Sequence, residues 1–443
     1  MERLSSSAND LRRITIMKSP FGHRRSGLHA AAVACLLAAT PAASQDMSEE
    51  DKQKLEAFLE FQSNLPTFLP TVNLIDADAL PITFPFRMVG EQIVVDVDFG
   101  DGVARPFMLD TGAPTFVTEK IGDAHGGEVV TEMVTIAGGG VIEWSPMVKF
   151  PSVTIGGALR ITDVTGGVNW ATEGPFYCIT RNGLIGSQAM RNAVWQIHYG
   201  NEEITVAATV DQIDHIADAI VLPFTIKEDG LSPTPWVELG LGNGKLVFIV
   251  DTGGGVPLTI NADALEKVGL SLPEDAPVAA GISSGAGGDF DTALAGLTVP
   301  MMFGDTALLT TAVVGDGLAP TTDGNMGASF LKNFVVTLDW STQTMYLDPL
   351  FEGDRVPLPG AASVGVGFRG DDLAVTSIAK GGPADEAGLT LGEVVTAIDG
   401  TDVTDISADA FCELRKAPFE TVTTASGQSY DAGMLEGFFD SPE

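Results

Sequence analysis

The chain is 443 residues long, with 24 Lys+Arg against 59 Asp+Glu and a formal net charge of −35 at pH 7. A surface this acidic repels phosphate backbones and anionic lipid, which argues against a nucleic-acid partner, and the length allows two or three domains. The five His are scattered and no His or Cys pair has ligand spacing, so neither a metal centre nor a cofactor is expected.

Near the N-terminus, Arg24-Arg25 precedes an apolar run from Ala30 to Ala39, and small residues follow at Ala42-Ala43-Ser44. This is the pattern of a secretory signal peptide over residues 1–45, with a periplasmic or secreted product. The run is too short for a comfortable membrane crossing, so no stable span is expected. Residues 1–16 fit no part of such a signal, and Met17-Lys18 is the expected true start. A lipoprotein reading at Cys35 lacks the usual preceding Leu. Loss of residues 1–45 would leave 24 − 6 = 18 basic and 59 − 2 = 57 acidic residues. Cys178 and Cys412 would then remain; they could pair, but two buried free thiols are the expectation.

Residues 46–79 read as a helix and a Pro-containing linker. Ser48 with Glu49-Glu50-Asp51 suits a helix start, and Leu55, Phe58 and Leu59 share one face. Pro66 and Pro70 then end it. The helix is expected to pack on the β-rich region that begins near residue 80, against the alternative of a propeptide that blocks a cleft.

Within that region, an alternating run, Gln92 to Phe99, is joined by a Gly-Asp-Gly turn to a strand ending at Asp110-Thr111-Gly112. Trp236 to Leu241, a Gly-Asn-Gly turn and Asp251-Thr252-Gly253 repeat the arrangement 251 − 110 = 141 residues later. Each Asp is followed 76 residues on by an apolar-Gly step, Ile185-Gly186 and Met326-Gly327. One Asp-Thr-Gly alone is an ordinary turn. Two copies with matched flanks are a duplicated unit, read here as 80–208 and 216–350, and the duplication supplies two carboxylates that can work as a pair.

The two units resemble retropepsin-like aspartic peptidases of the tandem bacterial type. That family's pattern is apolar-apolar-Asp-Thr/Ser-Gly-Ala/Ser with a later apolar-apolar-Gly; Ala113 and Leu184-Ile185-Gly186 fit it. Gly254, within Gly253-Gly254-Gly255, and Asn325 depart from it, and Gly254 is expected to loosen its loop. The resemblance implies two β-barrel lobes that place Asp110 and Asp251 together in one chain, so a monomer suffices. Thr111 and Thr252 would brace the loops, and Gly112 and Gly253 would let backbone approach the site. Gly186 and Gly327 would permit close packing behind it. Gly138, Gly139 and Gly140 would belong to a substrate flap, with a second Gly-rich stretch from Ser283 to Gly288. Two carboxylates held about 3 Å apart share one proton, and such a pair can activate water against a peptide bond. The implied activity is therefore endopeptidase cleavage of extended polypeptides. The rival is a catalytically silent peptide-binding protein of the same fold.

The C-terminal part, 358–443, contains Gly381-Gly382-Pro383-Ala384, Ala387-Gly388-Leu389 and Ile398-Asp399-Gly400. These resemble a PDZ domain of the bacterial protease type, with Gly382 replacing Ser and Glu393 replacing Asp. Pro383 should open a short helix. Gly365-Val366-Gly367-Phe368 resembles the carboxylate-binding loop of that family, or belongs to a simple hairpin. The resemblance implies docking of protein C-termini or internal peptides. The expected whole is mainly β: two tandem retropepsin-like β-barrel lobes followed by a small α+β PDZ-like domain.

Overall fold

The computed structural model describes residues 49–137, 141–172, 176–226, 233–285, 288–316, 318, 321–358 and 360–440. The expected signal peptide over residues 1–45, Ser48 and the expected flap residues Gly138, Gly139 and Gly140 lie outside the described residues. The chain is mainly β, built as two related lobes and a C-terminal module. Among the described residues no helix is long and apolar enough to cross a membrane.

Helix α1 (Glu49–Ser63) packs on lobe 1: Phe58 and Leu65, just beyond it, are buried with Met133 and Met147. In lobe 1, β1 (Gln92–Asp98) lies antiparallel to β2 (Arg105–Asp110), Val94 opposite Met108. Their turn is held by Asp98, whose Oδ1 accepts from the backbone N–H of Gly100, Asp101 and Gly102. Gly100 and Gly102 have φ of 92° and 76°, backbone that side-chain-bearing residues avoid. A meander follows of β3 (Val129–Ala137), β4 (Val141–Ile155) and β5 (Leu159–Val168). The chain then returns as β6 (Gly183–Gly186), parallel to β2, with Gly186 opposite Asp110.

Lobe 2 repeats the path. Strand β7 (Pro235–Leu241) pairs with β8 (Gly244–Asp251), and a meander of β9 (Val278–Gly285), β10 (Gly288–Phe303) and β11 (Thr306–Gly315) follows. Then β12 (Gly324–Gly327) lies parallel to β8, with Gly327 opposite Asp251. Beneath both lobes, Val194–His198 pairs with Phe334–Asp339, and Gln196 faces Thr337. That pair has the repeat offset, 337 − 196 = 141, and Gln196 Nε2 donates to Thr337 Oγ1 at 3.0 Å. The pseudo-twofold axis thus passes through this pair. Trp195, Ile197, Val336 and Leu338 around it are fully buried and join the cores of the lobes.

The C-terminal module has its own core, including Val375, Ile378, Leu389, Val395, Phe411 and Val422. Its first hairpin is β13 (Val364–Arg369) with β14 (Asp372–Ala379). Gly365 to Phe368 are strand residues of that hairpin, Phe368 opposite Leu373, which settles the choice between loop and hairpin. Pro383 opens a short helix, as expected. The module is fixed to both lobes. On one side β14 pairs with β9 of lobe 2, Ala279 opposite Ala379 and Gly281 opposite Ser377. On the other, helix α2 (Ala408–Leu414) carries Cys412, which forms a disulfide with Cys178 of lobe 1. Tyr177 Oη donates to Asp409 at 2.9 Å, and Arg181 forms an ion pair with Asp409.

The expectation of two free thiols is therefore corrected. The cysteines are 234 residues apart in sequence, and only the placement of the module against lobe 1 brings their Cα atoms to 5.2 Å. A cross-link across so long a loop stabilises by up to about 5 kcal/mol in the chain-entropy picture. We expect a C178S/C412S variant to unfold at a clearly lower urea midpoint than the parent; equal midpoints would contradict the staple.

Candidate active site

The two Asp-Thr-Gly loops end β2 and β8 and meet across the pseudo-twofold axis. Thr111 Oγ1 donates to the Val250 carbonyl at 2.6 Å and accepts from Thr252 N–H at 3.1 Å. Reciprocally, Thr252 Oγ1 donates to the Leu109 carbonyl at 2.9 Å and accepts from Thr111 N–H at 3.1 Å. Both threonines are 0% exposed. A valine would match the shape but strand buried partners, each at about 1–3 kcal/mol.

This lock places the carboxyls of Asp110 and Asp251 side by side, each against the other loop's glycine. Gly112 N–H donates to Asp110 Oδ1 at 2.7 Å. Gly253 and Gly254 N–H donate to Asp251 Oδ1 at 3.0 and 2.8 Å. Asn325 Nδ2 donates to Asp251 Oδ2 at 2.7 Å. The glycines are sterically required. A Cβ at Gly112 would stand 2.8 Å from Asp251 Oδ1, and one at Gly253 would collide with the Asp110 carboxyl. Behind the loops, a Cβ at Gly186 would strike the Ala113 carbonyl, and one at Gly327 the Val256 carbonyl.

Asp110 is only 7% exposed. Burial first, and then the negative charge of Asp251, push its carboxyl well above the usual carboxylate range, against the opposing Gly112 N–H bond. Asp110 therefore keeps its proton at pH values where an ordinary carboxyl has lost it.

All eight dyad, loop and backing residues expected from sequence converge here: Asp110, Thr111, Gly112, Gly186, Asp251, Thr252, Gly253 and Gly327. Gly254 corrects an expectation. It does not loosen the loop, because its N–H is bonded to Asp251 and a Cβ there would lie 2.7 Å from Asp251 Oδ2. Three supporting groups were not anticipated. Gln188 accepts from Thr115 N–H at 3.0 Å and donates to the Thr165 carbonyl at 3.2 Å, holding the loop of lobe 1. The Gln92 amide bridges the lobes by accepting from Gly255 N–H at 3.1 Å. Asn325 was visible only as a polar residue in an apolar position. Among the described residues no group of three or more His, Cys, Asp or Glu could hold a metal ion.

A cavity of about 1620 Å³ opens over the dyad. One wall is the turn Met88 to Gln92, and another is α2 of the C-terminal module, through Asp409 and Cys412, with Arg415 just beyond it. Residues 374–424 match the family model of the PDZ domain. The C-terminal module is a PDZ domain. Its helix α2 therefore forms part of the cavity that holds the two carboxyls. Among solved structures, basic 7S globulin from soybean is similar at 10% identity and a TM-score of 0.37, over 62% of this chain and 95% of that one. No curated protein matches the chain.

The raised Asp110 carboxyl has a consequence for stability. In the unfolded chain an Asp titrates near about 3.9. Between that value and the raised folded one, the folded state binds more protons, so stability falls as pH rises through this window. Asp110→Asn removes that fall. Its urea midpoint should exceed the parent's at pH 7 and converge with it near pH 3; a midpoint at or below the parent's at pH 7 would contradict the buried, proton-holding Asp110.

Proposed function

We propose that this chain is an aspartic endopeptidase that hydrolyses extended polypeptides with one intramolecular dyad, Asp110 and Asp251. The observation that carries the reading is the reciprocal Thr111–Thr252 lock, which holds two carboxyls of one polypeptide in contact inside a large cavity. In the reaction the ionised carboxyl takes a proton from a water held between the pair. The protonated carboxyl donates to the oxygen of the scissile carbonyl as the water attacks its carbon. A tetrahedral diol forms, and a proton passed to the nitrogen releases the amine. One proton per pair is the active state, which the buried environment of Asp110 favours.

The PDZ domain gives the substrate a docking edge. Strand β13 ends the strand order of its sheet, so its outer edge is unpaired among the described residues, and Phe368 on it meets Phe411 of α2 at 5.3 Å. A protein C-terminus or internal segment added to that edge would lie beside the helix that walls the catalytic cavity. The signal pattern and the Cys178–Cys412 disulfide support a periplasmic or secreted location, where disulfides persist. Because both Asp residues come from one chain, the active species is a monomer.

Purified residues 46–443 should cleave an unfolded protein between pH 3 and 7. Asp110→Asn and Asp251→Asn should each lower the rate by about 10³-fold or more. The alkaline limb should fall above the ordinary carboxylate range, because the raised Asp110 carboxyl keeps its proton there. A folded parent with no cleavage at any pH would favour the silent peptide-binding reading instead.

A further inference from the structure

Lobe 2 departs from lobe 1 at two positions beside the dyad, and the departures touch each other. Lobe 1 carries Ala113 and Leu184 where lobe 2, 254 − 113 = 325 − 184 = 141 residues on, carries Gly254 and Asn325. Asn325 Nδ2 donates to Asp251 Oδ2 at 2.7 Å, whereas the apolar Leu184 side chain can offer Asp110 no donor. A Cβ at Gly254 would lie 2.7 Å from that same Oδ2 and 3.5 Å from Asn325 Nδ2. The carboxyl held by Asn325 thus occupies the space an alanine would need. Asn325 Oδ1 is buried with no partner. Turned the other way, the amide would set this acceptor against the carboxylate oxygen, an arrangement only a protonated Asp251 satisfies. An inward Nδ2 donates more strongly to an ionised Asp251 than to a protonated one.

We infer that Asn325 is a positioning residue that keeps the negative charge of the dyad on Asp251 and the shared proton on Asp110. Its catalytic meaning rests on the peptidase reading: Asp251 becomes the base toward water and Asp110 the acid toward the carbonyl. The placement of the proton exists with or without turnover. Because Asp251 is charged in both the singly and the doubly ionised pair, the amide favours the first ionisation and leaves the second nearly unchanged.

Other charged and titratable groups face this pair. Asp110 lies across the axis, the Tyr199 phenol feels the Asp251 charge, and Glu91 is ion-paired to Lys332 at 2.7 Å. Across the cavity, the PDZ helix and the turn after it bring Asp409, paired with Arg181, Glu413, paired with Lys416 at 2.6 Å, and Arg415. All of these remain when Asn325 becomes leucine, so a shift reports the amide.

The test compares the parent with N325L, G254A and N325L/G254A, the last restoring the lobe 1 combination. Carboxyl ¹³C NMR titration should show the first ionisation of the pair moving up about one pH unit in N325L, roughly tenfold in its constant. The second should stay in place. If the parent cleaves peptides, the acidic limb of kcat/KM should move equally and the alkaline limb should not; a merely structural residue would lower the whole profile with both limbs fixed. G254A alone should lower Tm, and should do so less in the N325L background. Should N325L alone fail to fold, the double variant provides the same titration. A first ionisation unmoved in folded variants lacking Asn325, or a G254A penalty equal in both backgrounds, would overturn the inference. A shifted titration in a protein that cleaves nothing would sustain the positioning role and sink the peptidase reading.

Discussion

Four hydrogen bonds between Thr111, Thr252 and the backbones of Leu109 and Val250 hold the molecule's two loops face to face. Every other feature of the site depends on that contact. It is symmetric, so a duplicated unit makes it once and makes it with itself. It is fully buried, so its donors and acceptors have no water to fall back on and the loops have one favourable arrangement. The Gln196–Thr337 pair repeats the same logic beneath, on the same axis. With the loops so fixed, the two carboxyls stand side by side, and burial holds the Asp110 carboxyl well above the usual carboxylate range.

The cost of that arrangement is electrostatic. A charge pair that cannot both ionise destabilises the folded chain at neutral pH, and the surrounding structure must offset it. Close backbone approach is part of the same bargain: Gly112, Gly253 and Gly254 leave no room for side chains because the two carboxyls occupy that space. The symmetry is then broken on one side only, by Asn325. The PDZ domain adds a second constraint. Fixed to lobe 2 by strand pairing and to lobe 1 by a disulfide, it is a wall of the cavity over the two carboxyls rather than a module on a tether.

The repeat made most of this legible in advance. Matched flanks at an offset of 141 disclosed both lobes, both Asp residues, their threonines and the glycines behind them, because each position answers a local steric or hydrogen-bonding need that the sequence must state twice. The features that stayed hidden were set by packing between units. Cys178 and Cys412 carry no mark of pairing, since 234 residues and two domain placements intervene. Gly254 read as slack where the fold uses it for fit. Asn325 read as an oddity, since its partner lies on a strand that the sequence alone does not place beside it.

The central claim is that one chain contains one complete dyad. The most direct measurement is the binding stoichiometry of a peptide inhibitor whose secondary hydroxyl mimics the tetrahedral diol, by calorimetry, with the molecular weight of the complex from sedimentation equilibrium. The account predicts one inhibitor per monomeric chain, with proton-linked binding that is lost in both Asp110→Asn and Asp251→Asn. One inhibitor per two chains, or binding indifferent to both substitutions, would contradict it.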